Sequence, residues 1–194
     1  MKAKLFQKSR KIKWAMPMVL SIALMGVFFS DNLSAKTARE IDVEVEVAIE
    51  RFHKQVIGAE KLIGASKGML VMPNVFKGAF LLGGEYGEGA LRIDGKTVDY
   101  YSTASGSIGL QIGGQKKDIF LLFMTEESLQ QFRDAKGWET GLDANVAFMK
   151  YGAGVREDTT TTQEPIIGFV IDAKGLMADF SFKGAKFTKI EPEK

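Results

Sequence analysis

Few side chains in this sequence could do nucleophilic chemistry, and they are scattered. His53 is the only histidine and there is no cysteine. A nucleophile–base arrangement would have to be recognised by geometry, which a sequence does not give. We interpret His53 as a half-buried residue at the edge of a helix's apolar face. Ser105-Gly106-Ser107 lacks the flanking pattern of a nucleophile elbow.

Two groups of carboxylates have spacings that catalysis or metal binding could use. Glu85 and Glu88, in the segment GGEYGEG, could act as acid and base or could equally be solvated turn residues. The segment lacks the G-x-G-x-x-G order and leads into a further strand, so it does not predict a dinucleotide site. Asp42, Glu46 and Glu50 are four residues apart, and without cysteine they indicate an exposed acidic helix face. We predict no catalytic residue, no metal and no cofactor.

The basic segment GGQKKD separates two apolar runs and poses a choice between a phosphate cradle and a plain turn. We predict a turn, from which Lys116 and Lys117 project into solvent. There they could meet an anionic headgroup at about 1 kcal/mol each, or remain ordinary solvated residues. Lys67 and Lys77 lie on either side of the segment around Pro73 and complete the set of candidate headgroup residues.

The first 35 residues are typical of an export signal. Six basic residues precede the largely apolar stretch Ala15 to Phe29, and Leu33-Ser34-Ala35 ends in a small residue that suits a signal peptidase. The apolar stretch would rise about 22 Å as a helix, less than the roughly 30 Å of a hydrocarbon core. We predict cleavage after Ala35 and a periplasmic or secreted protein. The alternative is anchoring by an uncleaved N-terminal segment.

Removal of this segment changes the charge of the protein. The whole chain has 26 basic and 24 acidic residues, and residues 36–194 keep 20 and 23 of them, a net charge of −3. This charge does not support a globally basic nucleic-acid surface, so no nucleic-acid partner is predicted. Residues 36–194 have the length of a single domain with a real core. Without cysteine, that core has no disulfide to stabilise it.

One long helical pattern opens this domain, from Lys36 to Ile63. The segment VEVEV at 43–47 alternates like a strand, but the longer window places apolar residues on one side of a 3.6-residue period. Phe52 is expected to face the core. Gly64 and Gly68 are expected to end the element.

The rest of the domain reads as short strands with one further helix. Thr125 is expected to cap that helix, with Leu129 and Phe132 facing inward and Gly137 at its end. Asp94-Gly95 is a tight-hairpin signal, and the segment 172–175 is a weaker one. These features predict an α+β domain whose mainly antiparallel, strongly curved sheet is barrel- or sandwich-like. The predicted strands are 69–75, 77–85, 89–93, 96–101, 105–114, 118–124, 142–149, 166–171, 176–182 and 186–190, with a polar loop at 156–164.

Four blocks of the sequence resemble the SYLF domain family, in the family's order: KGMLVMPNVFKGAFLLGGEYGEGALR (67–92), YYSTASGSIGLQIGGQKKDIFLLFMT (100–125), GLDANVAF (141–148) and AKGLMADFSFKGAKF (173–187). Together the blocks span residues 67–187, most of residues 36–194. Two positions depart from the family pattern, because Asp179 stands at a usual glycine and Lys183 where an acidic residue is common.

The resemblance implies a lipid-binding module. Eukaryotic relatives bind phosphoinositides and a yeast member binds actin, whereas bacterial relatives look like stand-alone exported forms. Actin binding is not carried over to an exported protein. We therefore expect a non-enzymatic SYLF-type protein that binds anionic lipid, phosphoinositide-like headgroups or the membrane surface. The alternative is a structural or envelope-stress module whose partner is an envelope protein.

Overall fold

The computed structural model describes residues 36–80, 82–107, 115–149, 164–172, 175–176 and 184–193. The chain divides into two units, Met1–Ala35 and Lys36–Lys194, and every described residue belongs to the second. Some predictions lie outside the described residues. They concern the leader, most of the predicted strand 105–114 with the turn at Gly113-Gly114, all but the last residue of the loop 156–164, most of the predicted strand 176–182, Asp179 and Lys183.

The described residues form three helices and nine strands. The helices are α1 (Ala38–Gln55), α2 (Ala59–Ala65) and α3 (Glu126–Asp134). The strands are β1 (Gly68–Phe80), β2 (Leu82–Ile93), β3 (Lys96–Ser107), β4 (Gln115–Phe123), β5 (Trp138–Glu139), β6 (Ala147–Phe148), β7 (Ile166–Asp172), β8 (Gly175–Leu176) and β9 (Lys186–Ile190).

The strands build one strongly curled half-barrel sheet. Their order is β5-β9-β3-β2-β1-β4-β7-β6, and β8 pairs with β7. All pairs are antiparallel except β6 with β7, which are parallel. The predicted α+β class with a mainly antiparallel, curved sheet is confirmed.

Both faces of the central strands are buried, each against its own hydrophobic core. In β4, Ile119, Leu121 and Phe123 belong to the core that includes α3, whereas Phe120 and Leu122 belong to the core that includes α1. Successive side chains of a strand point to opposite faces, so the continuous apolar run of β4 supplies two cores. We call these two sides the α3 face and the α1 face of the sheet.

Helix α1 begins where its capping residues require. The hydroxyl of Thr37 accepts a hydrogen bond from the Glu40 N–H, and the Glu40 carboxylate accepts one from the Thr37 N–H, a reciprocal capping box. The segment VEVEV is helical, as the longer spacing predicts: Val45 is buried, and Val43 and Val47 are exposed.

The predicted helix from Lys36 to Ile63 is wrong in one respect, because it is two helices. Val56 is extended and Gly58 has φ 80°, in the left-handed region that glycine adopts at little cost. The chain therefore turns before α2, whose Leu62 is buried in the same core as α1.

Several predicted strands are joined or divided in the structure. The predicted strand 69–75 continues as β1 to Phe80. The predicted strand 77–85 is wrong as a single strand, because residues 77–80 belong to β1 and residues 82–85 to β2. Strand β2 continues through the predicted strand 89–93. Of the predicted strand 142–149, only Ala147–Phe148 is a strand. The tight hairpin is confirmed, because Asp94 and Gly95 both have positive φ, at 50° and 73°.

Helix α3 closes the core of the α3 face. Thr125 caps it by accepting a hydrogen bond from the Ser128 N–H, and Leu129 and Phe132 are buried, as predicted. The helix ends at Asp134, three residues before the predicted end at Gly137.

Strand β9 joins distant parts of the chain. It pairs with β3, and its Phe187 packs against Trp138 with a ring-centroid distance of 5.8 Å. Just beyond β9, the carbonyl of Glu193 accepts a hydrogen bond of 3.1 Å from the Ala38 N–H. The first and last described segments of the domain therefore meet.

We predict that Phe52→Ala lowers the free energy of unfolding by about 3–5 kcal/mol, the usual cost of truncating a fully buried phenylalanine. Phe52 is fully buried, and its ring centroid lies 4.6 Å from that of Phe120 and 5.1 Å from that of Phe169. Urea unfolding followed by circular dichroism measures the change. Val47→Ala, at an exposed position of the same helix, is the control and should cost less than about 1 kcal/mol. Equal effects of the two substitutions would contradict the packing of α1.

Candidate functional site

A β-bulge in the middle of β1 organises the end of the sheet. Between Met72 and Val75, β1 has one residue more than the facing segment of β4, and the same shift appears against β2. Asn74 has φ 51° at this point. Its N–H donates a 2.9 Å hydrogen bond to Oδ1 of Asp118, so a side chain of the neighbouring strand satisfies the backbone group that the bulge removes from the ladder.

Asp118 also connects the sheet to helix α1. Its side chain is only 1% exposed, and Oδ2 lies 2.8 Å from Nη1 of Arg51. Burial raises the pKa of Asp118, and this effect outweighs the Asn74 N–H and the Arg51 charge, which both lower it. Because a buried carboxylate without partners would be far more costly, Arg51 and Asn74 are what allow an acid at this position.

Beyond the bulge, one row of side chains crosses three strands. Phe76 of β1 is directly opposite Tyr86 of β2 on one side and Lys116 of β4 on the other. Directly opposed residues share a face of the sheet. Phe76 is 48% exposed and Tyr86 is 50% exposed, and Lys116 is exposed as well. We call these three residues the aromatic row.

The aromatic row lies on the α1 face, close to where α1 begins. Tyr86 donates a 2.7 Å hydrogen bond from its hydroxyl to Oε1 of Glu88, whose Oε2 accepts a 3.2 Å hydrogen bond from the backbone N of Lys36. Burial, reinforced by this hydrogen bond to Glu88, raises the pKa of Tyr86 to about 12. The hydrogen bond to Glu88 holds the Tyr86 side chain against the α1 face of the sheet.

On the α3 face, the same end of the sheet holds a buried charge cluster. Nζ of Lys117 lies 2.7 Å from Oε2 of Glu85, and Nζ of Lys77 lies 3.6 Å from Oε1 of the same carboxylate. Lys117 is only 6% exposed. Burial lowers the pKa of Lys117, against the opposing effect of Glu85.

The prediction that Lys117 projects into solvent from a turn is therefore wrong. Strand β4 begins at Gln115, three residues earlier than predicted, so the two adjacent lysines are strand residues. Their side chains alternate: Lys116 is exposed on the α1 face, and Lys117 is buried on the α3 face.

The four candidate lysines do not form a single patch. Lys77 and Lys117 meet at Glu85, and Lys116 is on the opposite face. Lys67 stands just before β1 at the other end of the strand, where its Nζ is 3.9 Å from Oε1 of Glu126. Ten residues at about 3.3 Å each place Lys67 roughly 30 Å from Lys77 along the strand.

The carboxylates considered for catalysis are also separated. Glu85 is on the α3 face with Lys117, and Glu88 is on the α1 face with Tyr86. The sheet lies between them, so they do not act on one substrate as an acid and base pair. Within the described ranges, no group of three or more His, Cys, Asp or Glu residues is arranged to hold a metal ion.

A cavity of about 390 Å³ lies at the other end of the sheet, between α1, the end of α2 and the β2–β3 turn. Its ionisable lining residues are Glu46, His53, Lys67, Arg92 and Asp94. His53 is exposed, and not half-buried as its helical position predicts.

Arg92 and the aromatic pair were missed by sequence reasoning. Arg92 lies in an apolar strand run, and no motif sets it apart. Phe76 follows the bulge in β1, whose extra residue moves it to the α1 face, and the local alternation of the sequence gives no sign of that shift. Tyr86 of β2 is recognisable as its neighbour only from the pairing of the two strands. The Pro73-Asn74 pair is the one signal in the sequence that could have indicated the bulge.

We expect the substitution Asp118→Asn to alter the pH dependence of stability. With its pKa above the ordinary 3.8, Asp118 takes up a proton more readily in the folded state than in the unfolded chain. Wild-type stability should therefore rise relative to the variant as the pH falls from neutral towards 3.8. Urea unfolding of both proteins at pH 4 to 7 measures this difference. The contributions of the other acidic residues are the same in both proteins and cancel.

A matched variant, Asp118→Leu, also removes the acceptor of the Asn74 N–H. It should cost about 1–3 kcal/mol more than Asp118→Asn at neutral pH, because a buried donor is left unsatisfied. The prediction would be contradicted if the difference in the free energy of unfolding between the wild type and Asp118→Asn stayed constant with pH. Asp118 would then have the same proton affinity in the folded and unfolded states.

A comparison with protein-family models agrees with the family resemblance of the sequence. Residues 104–193, which contain β4, α3 and β5 to β9, match a family model described as Ysc84, Las17-binding protein actin regulator. A search of curated proteins finds no match. No helix of the described residues is long and apolar enough to cross a membrane. The resemblance to the SYLF family that the sequence predicts is confirmed over residues 104–193.

Proposed function

We propose that this protein is a non-enzymatic, exported SYLF-type protein that binds anionic membrane surfaces through the aromatic row. The observation that carries the proposal is the row itself: two half-exposed aromatic rings and an exposed lysine side by side on three strands. Aromatic rings favour the boundary between headgroups and hydrocarbon. A lysine near an anionic surface contributes about 1 kcal/mol.

Local charge has to supply the attraction. Residues 36–194 have a net charge of −3, which on its own repels an anionic surface. Of the four candidate lysines, Lys77 and Lys117 contact Glu85, and Lys67 is at the far end of β1. Lys116 is the one that lies beside exposed aromatic rings, so we assign the headgroup contact to Lys116.

A protein partner in the cell envelope is the second candidate. The matched family model is described as a Las17-binding protein and actin regulator. Exposed aromatic residues also occur at the centres of protein interfaces, so the same row would serve such a partner. The two functions differ in whether lipid alone is sufficient for binding.

The surroundings of Lys36 support export with cleavage after Ala35. The backbone N of Lys36 lies 3.2 Å from Oε2 of Glu88, a buried carboxylate. Cleavage before Lys36 would convert this N–H to an ammonium group. The hydrogen bond would then become a charge-assisted one, which is about twice as strong as a neutral one.

The membrane proposal predicts salt-sensitive binding that depends on the aromatic row. Lys116→Gln should weaken sedimentation with phosphatidylglycerol vesicles about five-fold at low salt, the equivalent of about 1 kcal/mol. Phe76→Ser should weaken binding to the same vesicles further. Binding should fall as salt rises, because exposed charges are screened over about 8 Å at physiological ionic strength.

The charge-matched control is Lys96→Gln, at an exposed position in the β2–β3 hairpin. It should leave vesicle binding unchanged, and neither lysine variant should shift the thermal midpoint appreciably. Equal binding to phosphatidylcholine vesicles, or binding that does not respond to salt, would reject the headgroup contact of Lys116. No binding to either kind of vesicle would reject the membrane role and favour the protein partner.

The cleavage proposal predicts a stability difference between two N-termini. A chain that begins at Lys36 should be more stable than one that begins at Ala35, by about 1–2 kcal/mol, because only the former places its ammonium beside Glu88. Glu88→Gln should remove most of that difference in thermal unfolding. N-terminal sequencing of protein from the envelope fraction should give Lys36 as the first residue; a chain that starts at Met1 would support the anchor instead.

A further inference from the structure

The cavity between α1, the end of α2 and the β2–β3 turn is separate from the aromatic row. Its volume of about 390 Å³ is within the range of small-molecule sites, about 300–1,000 Å³. Lys67 lines it, at the opposite end of β1 from Phe76. A ligand here would not be the lipid headgroup that Lys116 contacts.

The cavity has two permanent cations. Lys67 is half-exposed, and Arg92 is mostly buried. One Nη of Arg92 donates to the Gly95 carbonyl, but its buried Nε has no hydrogen-bond partner among the described residues. An oxyanion in the cavity would contact the outer nitrogens of the guanidinium, a group that suits phosphate in particular.

The cavity also has two carboxylates, and one of them can be exchanged. Glu46 lies 2.7 Å from Nη2 of Arg92, yet it is 58% exposed. An ion pair this open to water contributes little, about 0–1 kcal/mol. A phosphate can therefore replace Glu46 at Arg92, and the released carboxylate, with Asp94, remains in the cavity wall.

From this charge arrangement we propose that the cavity binds a zwitterionic phosphoester, with a phosphate beside Arg92 and Lys67 and a neighbouring ammonium beside Glu46 and Asp94. Phosphoethanolamine is the simplest compound of this class. The proposal does not depend on membrane binding by the aromatic row.

Gly64 offers a way to block the cavity without changing its charge. It lines the cavity, and a Cβ added there would meet no atom within 4 Å. Gly64 lies within α2, where leucine is a better helix former than glycine. Gly64→Leu should therefore fold while it fills the space.

Isothermal titration of the purified protein with phosphoethanolamine, inorganic phosphate and ethanolamine tests the proposal. Phosphoethanolamine should bind at least ten-fold more tightly than either of the other two. Glu46→Gln should reduce its affinity to that of phosphate, and Lys67→Gln should weaken both phosphate compounds about ten-fold. Gly64→Leu should abolish binding, and Lys116→Gln, at the other end of the sheet, should leave it unchanged.

A second pair of titrations distinguishes a free phosphoester from a lipid headgroup. Glycerophosphoethanolamine is compared with phosphatidylethanolamine vesicles, using the Phe76→Ser/Lys116→Gln variant so that the aromatic row does not contribute. Binding of the soluble compound alone assigns the site to free phosphoesters, and binding of both extends it to lipid. Equal affinity for phosphate and phosphoethanolamine, no binding at millimolar concentration, or no effect of Gly64→Leu would overturn the proposal.

Discussion

The extra residue that β1 carries between Met72 and Val75 decides on which face every later side chain of the strand lies. Side chains alternate with a period of two, so without the bulge Phe76 would point to the α3 face and Lys77 to the α1 face. The bulge is held by the Asn74 N–H on Asp118. The exposed aromatic row and the buried lysine cluster both depend on this one bond between adjacent strands.

At this end of the sheet, each face holds a buried charged residue. Lys117 and Asp118 are neighbours in β4 and are both almost fully buried, one on each face. Each has a partner from another element: Glu85 of β2 for the lysine, and Arg51 of α1 for the aspartate. Because an unpaired buried charge is very costly, these pairs fix which strands and which helix can meet here. Their cost explains why such residues are confined to the end of the sheet, away from the two apolar cores.

The sequence predicts well those features that depend on local periodicity and capping. The inward side of α1, the cap at Thr125 and the Asp94-Gly95 hairpin are local, and the structure has all three. The face of Lys117 could not be predicted, because it depends on where β4 begins and on pairing with β1, which is distant in sequence. The break at Gly58 was also missed, because the apolar spacing continues across it into α2.

The candidate sites were less predictable than the fold, for the same reason. Phe76 and Tyr86 lie close in sequence, but Lys116 joins them only through the pairing of β1 with β4. The cavity brings together α1, α2 and the β2–β3 turn. Arg92 can be recognised as a site residue only when its contact with Glu46 of α1 is known. Both candidate sites are formed by contacts between residues that are distant in sequence, and a local sequence pattern does not predict such contacts.

The pairing of β9 with β3 has a consequence for the order in which the domain can form. Hairpins β1–β2 and β2–β3 join neighbouring segments and can close early, whereas β9 must find β3 across about 80 residues. Long-range pairing of this kind costs loop-closure entropy and is slow. Trp138 and Phe187 stack only when β9 is in place, and the contact of Ala38 with Glu193 follows later still along the chain. A chain that is synthesised from its N-terminus would thus keep this core open until β9 is available to pair with β3.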